Sequence, residues 1–213
     1  MTDIEPQQSA STPTSSRRAG LVVIGLVALL LGVVAAMILM PKWANQPSVS
    51  AAADGPGGPF TLTDTKGQTV TDRTLVGKPY AIFFGFTRCP DVCPTTLSRM
   101  TQLRKQLGPD GMKLNIVFVS VDPGHDKPAD IGNYLSLFPT PIIGLTGTEA
   151  QIKQITDEYG IYFAKVPVEG GDYTIDHTAG ILLFDDRGAF VDMMDANEQP
   201  AKSINRLRKL IDA

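Results

Sequence analysis

Two apolar runs constrain this chain more than any other feature of its sequence. Tyr80-Ala81-Ile82-Phe83-Phe84, and Ile116-Val117-Phe118-Val119 within 113–121 (KLNIVFVSV), are continuous rather than alternating. Each reads as a strand buried on both faces, which requires a sheet with helices on either side. Between them Leu97, Met100, Leu103 and Leu107 recur at helical spacing over 94–107, as one face of a covering helix does.

The remaining elements follow the same alternation. A small hairpin is predicted from 60–64 and 68–70, a strand over 80–86, the helix over 94–107 and a strand over 113–121. A helix over 128–138, a short strand over 141–145 and a helix over 148–159 come next, the last stopped by Gly160, a residue suited to a helix C-terminus. Strands over 175–184 and 189–194 join through the turn Asp186-Arg187-Gly188, and a helix over 201–211 closes the chain. Strand, helix, strand, helix, terminal hairpin and helix is the order of an α/β, thioredoxin-like domain.

That domain occupies 59–213. Ahead of it, Leu21 to Met40 is twenty residues without a charge or a strongly polar side chain; at about 1.5 Å per residue such a helix spans roughly 30 Å, the thickness of a bilayer core. Arg17 and Arg18 precede the run, and Lys42 and Trp43 follow it, which favours an N-terminus inside and a domain outside. The expected organisation is a cytoplasmic tail over 1–18, a single transmembrane helix over 19–41, a flexible linker rich in Ser, Ala, Gly and Pro over 42–58, and the folded domain. The apolar run exceeds the roughly 7–15 residues of a signal-peptide core. The acidic residues Asp3 and Glu5, with only two arginines before the span, are unlike a mitochondrial transit peptide, so the membrane is read as a bacterial inner membrane with the domain in the periplasm. A net charge of −3 and no long basic block give no ground for nucleic-acid binding.

The chemistry sits at the end of the first buried strand. Gly85-Phe86-Thr87-Arg88-Cys89-Pro90-Asp91-Val92-Cys93-Pro94 carries the only two cysteines in the chain, at the strand-to-helix junction where α/β sheets place their working groups. As a disulfide staple, so short a loop stabilises a fold by only about 2 kcal/mol. A redox dithiol and a thiolate metal site are the two readings that remain. Only two histidines accompany them, His125 in the loop 122–128 (DPGHDKP) and His177 at the start of the last predicted hairpin. An imidazole from His177 completes a Cys2His set if that loop packs beside the cysteine junction.

The segments FGFTRCPDVCPTTL, VFVSVDPGHDKPADIGNYL, TGTEAQI and YTIDHTAGILLFDDRG together resemble the SCO/SenC family of copper-binding cytochrome oxidase assembly proteins. The likeness runs from about Phe60 to the C-terminus. It implies one copper, Cu(I) or Cu(II), bound by Cys89, Cys93 and His177, with Cys89 and Cys93 also available as a redox pair. It further implies a membrane-anchored copper chaperone whose client is cytochrome c oxidase subunit II or another cuproprotein, served by a thiol reductant. Asp122 and Asp126 match the family's loop, whereas His125 stands where arginine is usual; an additional weak ligand is the less favoured reading of His125, which is not counted in the ligand set. The competing reading on the same fold is an extracytoplasmic thiol–disulfide oxidoreductase or thiol peroxidase.

Overall fold

The computed structural model describes residues 55–212. The apolar run 21–40 and most of the expected linker lie outside the described residues, among which no helix is long and apolar enough to cross a membrane. The chain is already docked at Gly57, whose N–H donates to the carbonyl of Glu158 (3.0 Å), two residues before the expected start of the domain.

In chain order the elements are β1 (Thr61–Asp64), β2 (Thr69–Thr71), α1 (Asp72–Leu75), β3 (Tyr80–Gly85), α2 (Val92–Gln106), β4 (Asn115–Ser120), α3 (Pro128–Leu135) and β5 (Ile143–Thr146). They continue with α4 (Glu149–Glu158), β6 (Phe163–Pro167), β7 (Tyr173–His177), β8 (Ile181–Phe184), β9 (Phe190–Met194) and α5 (Pro200–Ile211). Seven strands form one sheet in the order β2-β1-β5-β4-β3-β8-β9. The central trio β3, β4 and β5 is parallel, and β8 and β9 extend it antiparallel beside β3. β3 is buried along its whole length and β4 from Ile116 onward, as their unbroken apolar composition requires. The stacked rings of Tyr80 and Phe184, 4.7 Å apart, join β3 to β8 inside the core.

Two sequence expectations are corrected. The single strand over 175–184 is two: among the described residues β7 pairs only with β6, in a separate hairpin, while β8 belongs to the main sheet. The break lies at Thr178-Ala179-Gly180. There the Thr178 N–H turns to the carbonyl of Tyr162, and a side chain on Gly180 would collide with Met193, its Cβ 2.8 Å from that Sδ. β6 was not expected, because FAKVP is short, half exposed and ends in proline. The missed signal is Gly170-Gly171, both at positive φ (95° and 84°), the turn that glycine alone makes at little cost. The second correction is that the cysteine helix starts at Val92 instead of 94, which puts Cys93 inside its first turn.

Arg104 is the buried cation of α2. It donates to the carbonyls of Gly111 (3.1 Å), Leu114 (2.6 Å) and Pro141 and to the Thr140 hydroxyl (2.8 Å). These bonds clamp the 3₁₀ turn Gly108–Lys113 and the entry to β5 against the helix, and they satisfy a charge that would otherwise be costly to bury.

Candidate metal centre

β3 ends at Gly85, directly beneath the cysteines. A Cβ there would stand 2.7 Å from Cys93 Sγ and 3.0 Å from the Phe118 ring, so only glycine lets the sulfur sit against the strand end. Cys93 is fully buried and Cys89 half exposed. The Cys93 N–H, one of the orphan donors of a helix N-terminus, points at Cys89 Sγ (3.4 Å). Helix dipole and amide both favour negative charge on that sulfur.

His177, the last residue of β7, completes the cluster from the other side. Its Nε2 lies 3.6 Å from Cys93 Sγ. Its Nδ1 lies 3.0 Å from the carbonyl oxygen of Thr178; a carbonyl only accepts, so the proton sits on Nδ1 and the Nε2 lone pair faces the sulfurs. Phe83 and Phe86 present ring edges to the imidazole, each with centroids 6.0 Å away, and hold its plane. One ligand atom from each of Cys89, Cys93 and His177 lies within 4.8 Å of the others.

The two thiols do not ionise alike. Cys89 is lowered to about 5, first by the hydrogen bond from Cys93 and then, against the effect of burial, by the Cys93 and Asp91 amides. Cys93 is pushed far up, by that same bond and by its burial. The pair gives up its first proton readily and its second with difficulty, which is the behaviour of coupled sites. A cation between the sulfurs removes the penalty on the second thiolate. In the reduced protein, alkylation by iodoacetamide is expected to modify Cys89 selectively. Its rate should be nearly flat between pH 6 and 8 and fall below pH of about 5, as protonation removes the nucleophile. Mass spectrometry of the modified peptide checks this, and equal labelling of both cysteines at pH 6 would contradict the asymmetry.

The cysteine loop is pinned by Asp126, whose carboxylate is almost wholly buried. It accepts the Thr87 N–H (2.9 Å), the Thr87 hydroxyl (2.6 Å) and the Ser120 hydroxyl (2.5 Å). Thr87, two residues before Cys89, is thereby fixed to the end of β4. Asp122 is the second buried carboxylate of the same loop. Burial alone would raise it, but hydrogen bonds from Tyr173, His125 and Arg88 outweigh that effect and keep it below the usual carboxylate range. The pinning role of Asp126 was not read from the sequence; its spacing from Asp122 within one loop was the available signal.

Of the residues singled out in the sequence, Cys89, Cys93 and His177 are brought together and His125 is not. Among the described residues the one cluster of three or more such donors excludes it. Its Nδ1 faces Arg88 Nη2 (2.8 Å), the Tyr173 hydroxyl (2.9 Å) and Asp122 Oδ2 (3.0 Å) instead.

The SCO1/SenC family model matches residues 49–212. The mitochondrial protein SCO2 of Saccharomyces cerevisiae is 38% identical over 160 residues, 74% of this chain and 53% of the yeast protein. A SCO2-like protein of Rickettsia conorii is 34% identical over 194 residues, 87% of this chain and 95% of its own length. This chain therefore spans about half of the yeast relative and nearly all of the rickettsial one. Among solved structures, Bradyrhizobium japonicum ScoI with copper bound superposes with a TM-score of 0.69 at 46% identity, covering 73% of this chain and 99% of that one. The α/β, thioredoxin-like architecture expected from the element order is shared with that structure.

Proposed function

The chain belongs to the SCO1/SenC family, and on that premise we propose that Cys89, Cys93 and His177 bind one copper ion as cargo. The observation that carries this is the converging donor set, two sulfurs and an Nε2 lone pair within 4.8 Å with the imidazole tautomer fixed by Thr178. Thiolates and imidazole are soft to borderline donors, and divalent affinity peaks at copper in the Irving–Williams order. Three donors suit a site that must release what it holds, whereas structural zinc is normally closed by four. With both sulfurs ionised, the shell carries a net charge of about −1 around Cu(I) and about zero around Cu(II), so either state is accommodated.

The protein acts in this reading as a membrane-anchored copper chaperone for the binuclear copper centre of cytochrome c oxidase subunit II. The tail 1–18 is cytoplasmic, the span 19–41 crosses a bacterial inner membrane, and the linker 42–58 tethers the periplasmic domain 59–213. Anchoring the domain beside a membrane-embedded client raises its effective concentration there. The dithiol can also prepare the client. Cys89 thiolate attacks a client disulfide to form a mixed disulfide, and Cys93 resolves it as the client leaves as a dithiol. The two electrons come from the cysteines, which end as the Cys89–Cys93 disulfide until an external thiol reductant restores them. The low Cys89 value favours this second role, and a thiol–disulfide oxidoreductase on the same fold is the alternative reading.

Titration of the fully reduced protein with Cu(I) and Cu(II) is the test. One copper per chain, and for Cu(II) an intense sulfur-to-copper charge-transfer band, are the expected results. Readily cycling cysteines with no tightly held copper would move the protein to the oxidoreductase class.

A further inference from the structure

The three proposed ligands rest on two separately supported pieces of the fold. Cys89 and Cys93 belong to the junction of β3 with α2, rooted in the main sheet. His177 ends β7, which among the described residues pairs only with β6 and shares no ladder with that sheet. Something besides backbone pairing must hold the imidazole over the sulfurs.

Alternation along β7 puts Tyr173, Ile175 and His177 on one face. Ile175 is buried in the core and serves as the middle fixed point. Beyond it on one side is His177 at Cys93; beyond it on the other, the Tyr173 hydroxyl donates to Asp122 Oδ1 (2.6 Å). The Asp122 side chain is 0% exposed and its other oxygen takes Arg88 Nη2 at 3.3 Å. Arg88, the residue before Cys89, reaches the hairpin again through Asp172 (2.7 Å). The Tyr173 ring is approached by Arg88 Cζ at 5.4 Å and Lys165 Nζ at 4.6 Å. Gly124 makes room for the hydroxyl, since a Cβ there would lie 3.2 Å from it. The cysteine loop, the Asp122 loop and the histidine hairpin thus meet at one buried carboxylate. The Arg88–Asp172 pair is exposed and worth little, whereas the hydroxyl on a buried carboxylate is a strong, charge-assisted bond.

We propose that Tyr173, bonded to Asp122, and Arg88 form a latch that sets the position of His177 and so the number of donors offered to the metal. With the latch closed the site presents two sulfurs and the imidazole. With it open β7 rocks about Ile175 and the site presents the two sulfurs alone. Tyr173 and Arg88 are positioning residues, and opening the latch withdraws the third donor, which loosens the hold on Cu(II) while leaving the two sulfurs that suffice for Cu(I). This rests on the copper reading above.

Tyr173→Phe removes only the hydroxyl and keeps the ring beneath both cations. In the reduced full chain it is expected to lower Cu(II) affinity about tenfold, about 1.4 kcal/mol, and to weaken the nitrogen hyperfine signal of the imidazole. Cu(I) affinity should change less than about twofold, because two thiolates suffice for it. In the metal-free protein, amides of β7 should exchange hydrogen about tenfold faster while those of β3 and β4 keep their rates. Unchanged Cu(II) spectra and unchanged exchange overturn the latch. Parallel loss of Cu(I), Cu(II) and melting temperature also overturns it, since that is the signature of a general structural role. If the unmodified chain binds no copper at all, the copper reading falls and the exchange measurement alone decides the latch: faster exchange confined to the hairpin supports it, and no difference ends it.

Discussion

Replacing either Cys89 or Cys93 with alanine is expected to abolish tight binding of both Cu(I) and Cu(II), lowering affinity by about a thousandfold, about 4 kcal/mol. The magnitude follows from scale. Apparent free energies of about 10–16 kcal/mol for small thiolate metal sites, divided among three or four ligands, assign several kcal/mol to each. The two losses arise differently. Cys93→Ala removes one sulfur and also the hydrogen bond that is the first cause of the low Cys89 value, so the remaining thiol should titrate nearer its ordinary range. Cys89→Ala leaves Cys93, buried and reluctant to ionise; even though its partner's repulsion is gone, desolvation still opposes the thiolate. Competition against a chromophoric chelator measures the affinities, and the pH dependence of alkylation measures the remaining thiol. A single-cysteine variant that keeps wild-type affinity would rule out the pair as the copper ligands. Thermal stability should fall little in Cys89→Ala, whose side chain is half exposed, and more in Cys93→Ala, which leaves a small cavity beneath Phe118 and Gly85.

How much of this was legible in the sequence depends on which interactions decide each part. β3 and β4 were readable because burial on both faces forces a continuous apolar run, and the end of α4 because Gly160, at φ +64°, stops it. The cysteine pair was legible from position alone, one strand and one loop away from a helix start. The β6–β7 hairpin was not. Its strands are short and partly exposed, with Ile175 the one buried side chain between them, so no run of buried apolar residues marks them, and only Gly170-Gly171 announced a turn. That omission fused β7 with β8 and hid the fact that His177 stands on its own support. The burial of Asp122 and Asp126 was missed for a different reason: a carboxylate is buried only when donors from elsewhere in the chain converge on it, and Thr87 with Arg88, Ser120 and Tyr173 come from three separate segments. Local pattern carries no record of such long-range bonds.

His177→Ala should separate the two oxidation states, with Cu(II) affinity falling by at least about a hundredfold, about 2.7 kcal/mol, and Cu(I) affinity by less than about tenfold. Cu(I) is satisfied by two thiolates in a linear arrangement, and the sulfurs stay on α2 and its preceding loop whether or not the imidazole is present. Cu(II) prefers more donors and a tetragonal field, and His177 is the one further nitrogen or sulfur donor in the cluster. The change is also mild for the fold. His177 is only partly buried, Ile175 keeps its strand in the core, and what is lost is contact with the ring edges of Phe83 and Phe86. A matched pair of titrations, Cu(I) under anaerobic conditions and Cu(II) followed by the charge-transfer band, gives the ratio directly. Equal loss in both states would mean that the imidazole organises the sulfurs as well as binding metal, and would overturn this division of labour. Thiol exchange provides the independent control, because the mixed disulfide is formed by Cys89 and resolved by Cys93 without the imidazole. A variant that reduces a client disulfide at nearly the wild-type rate while failing to hold Cu(II) would show that the redox and metal-carrying roles of one dithiol are separable at a single residue.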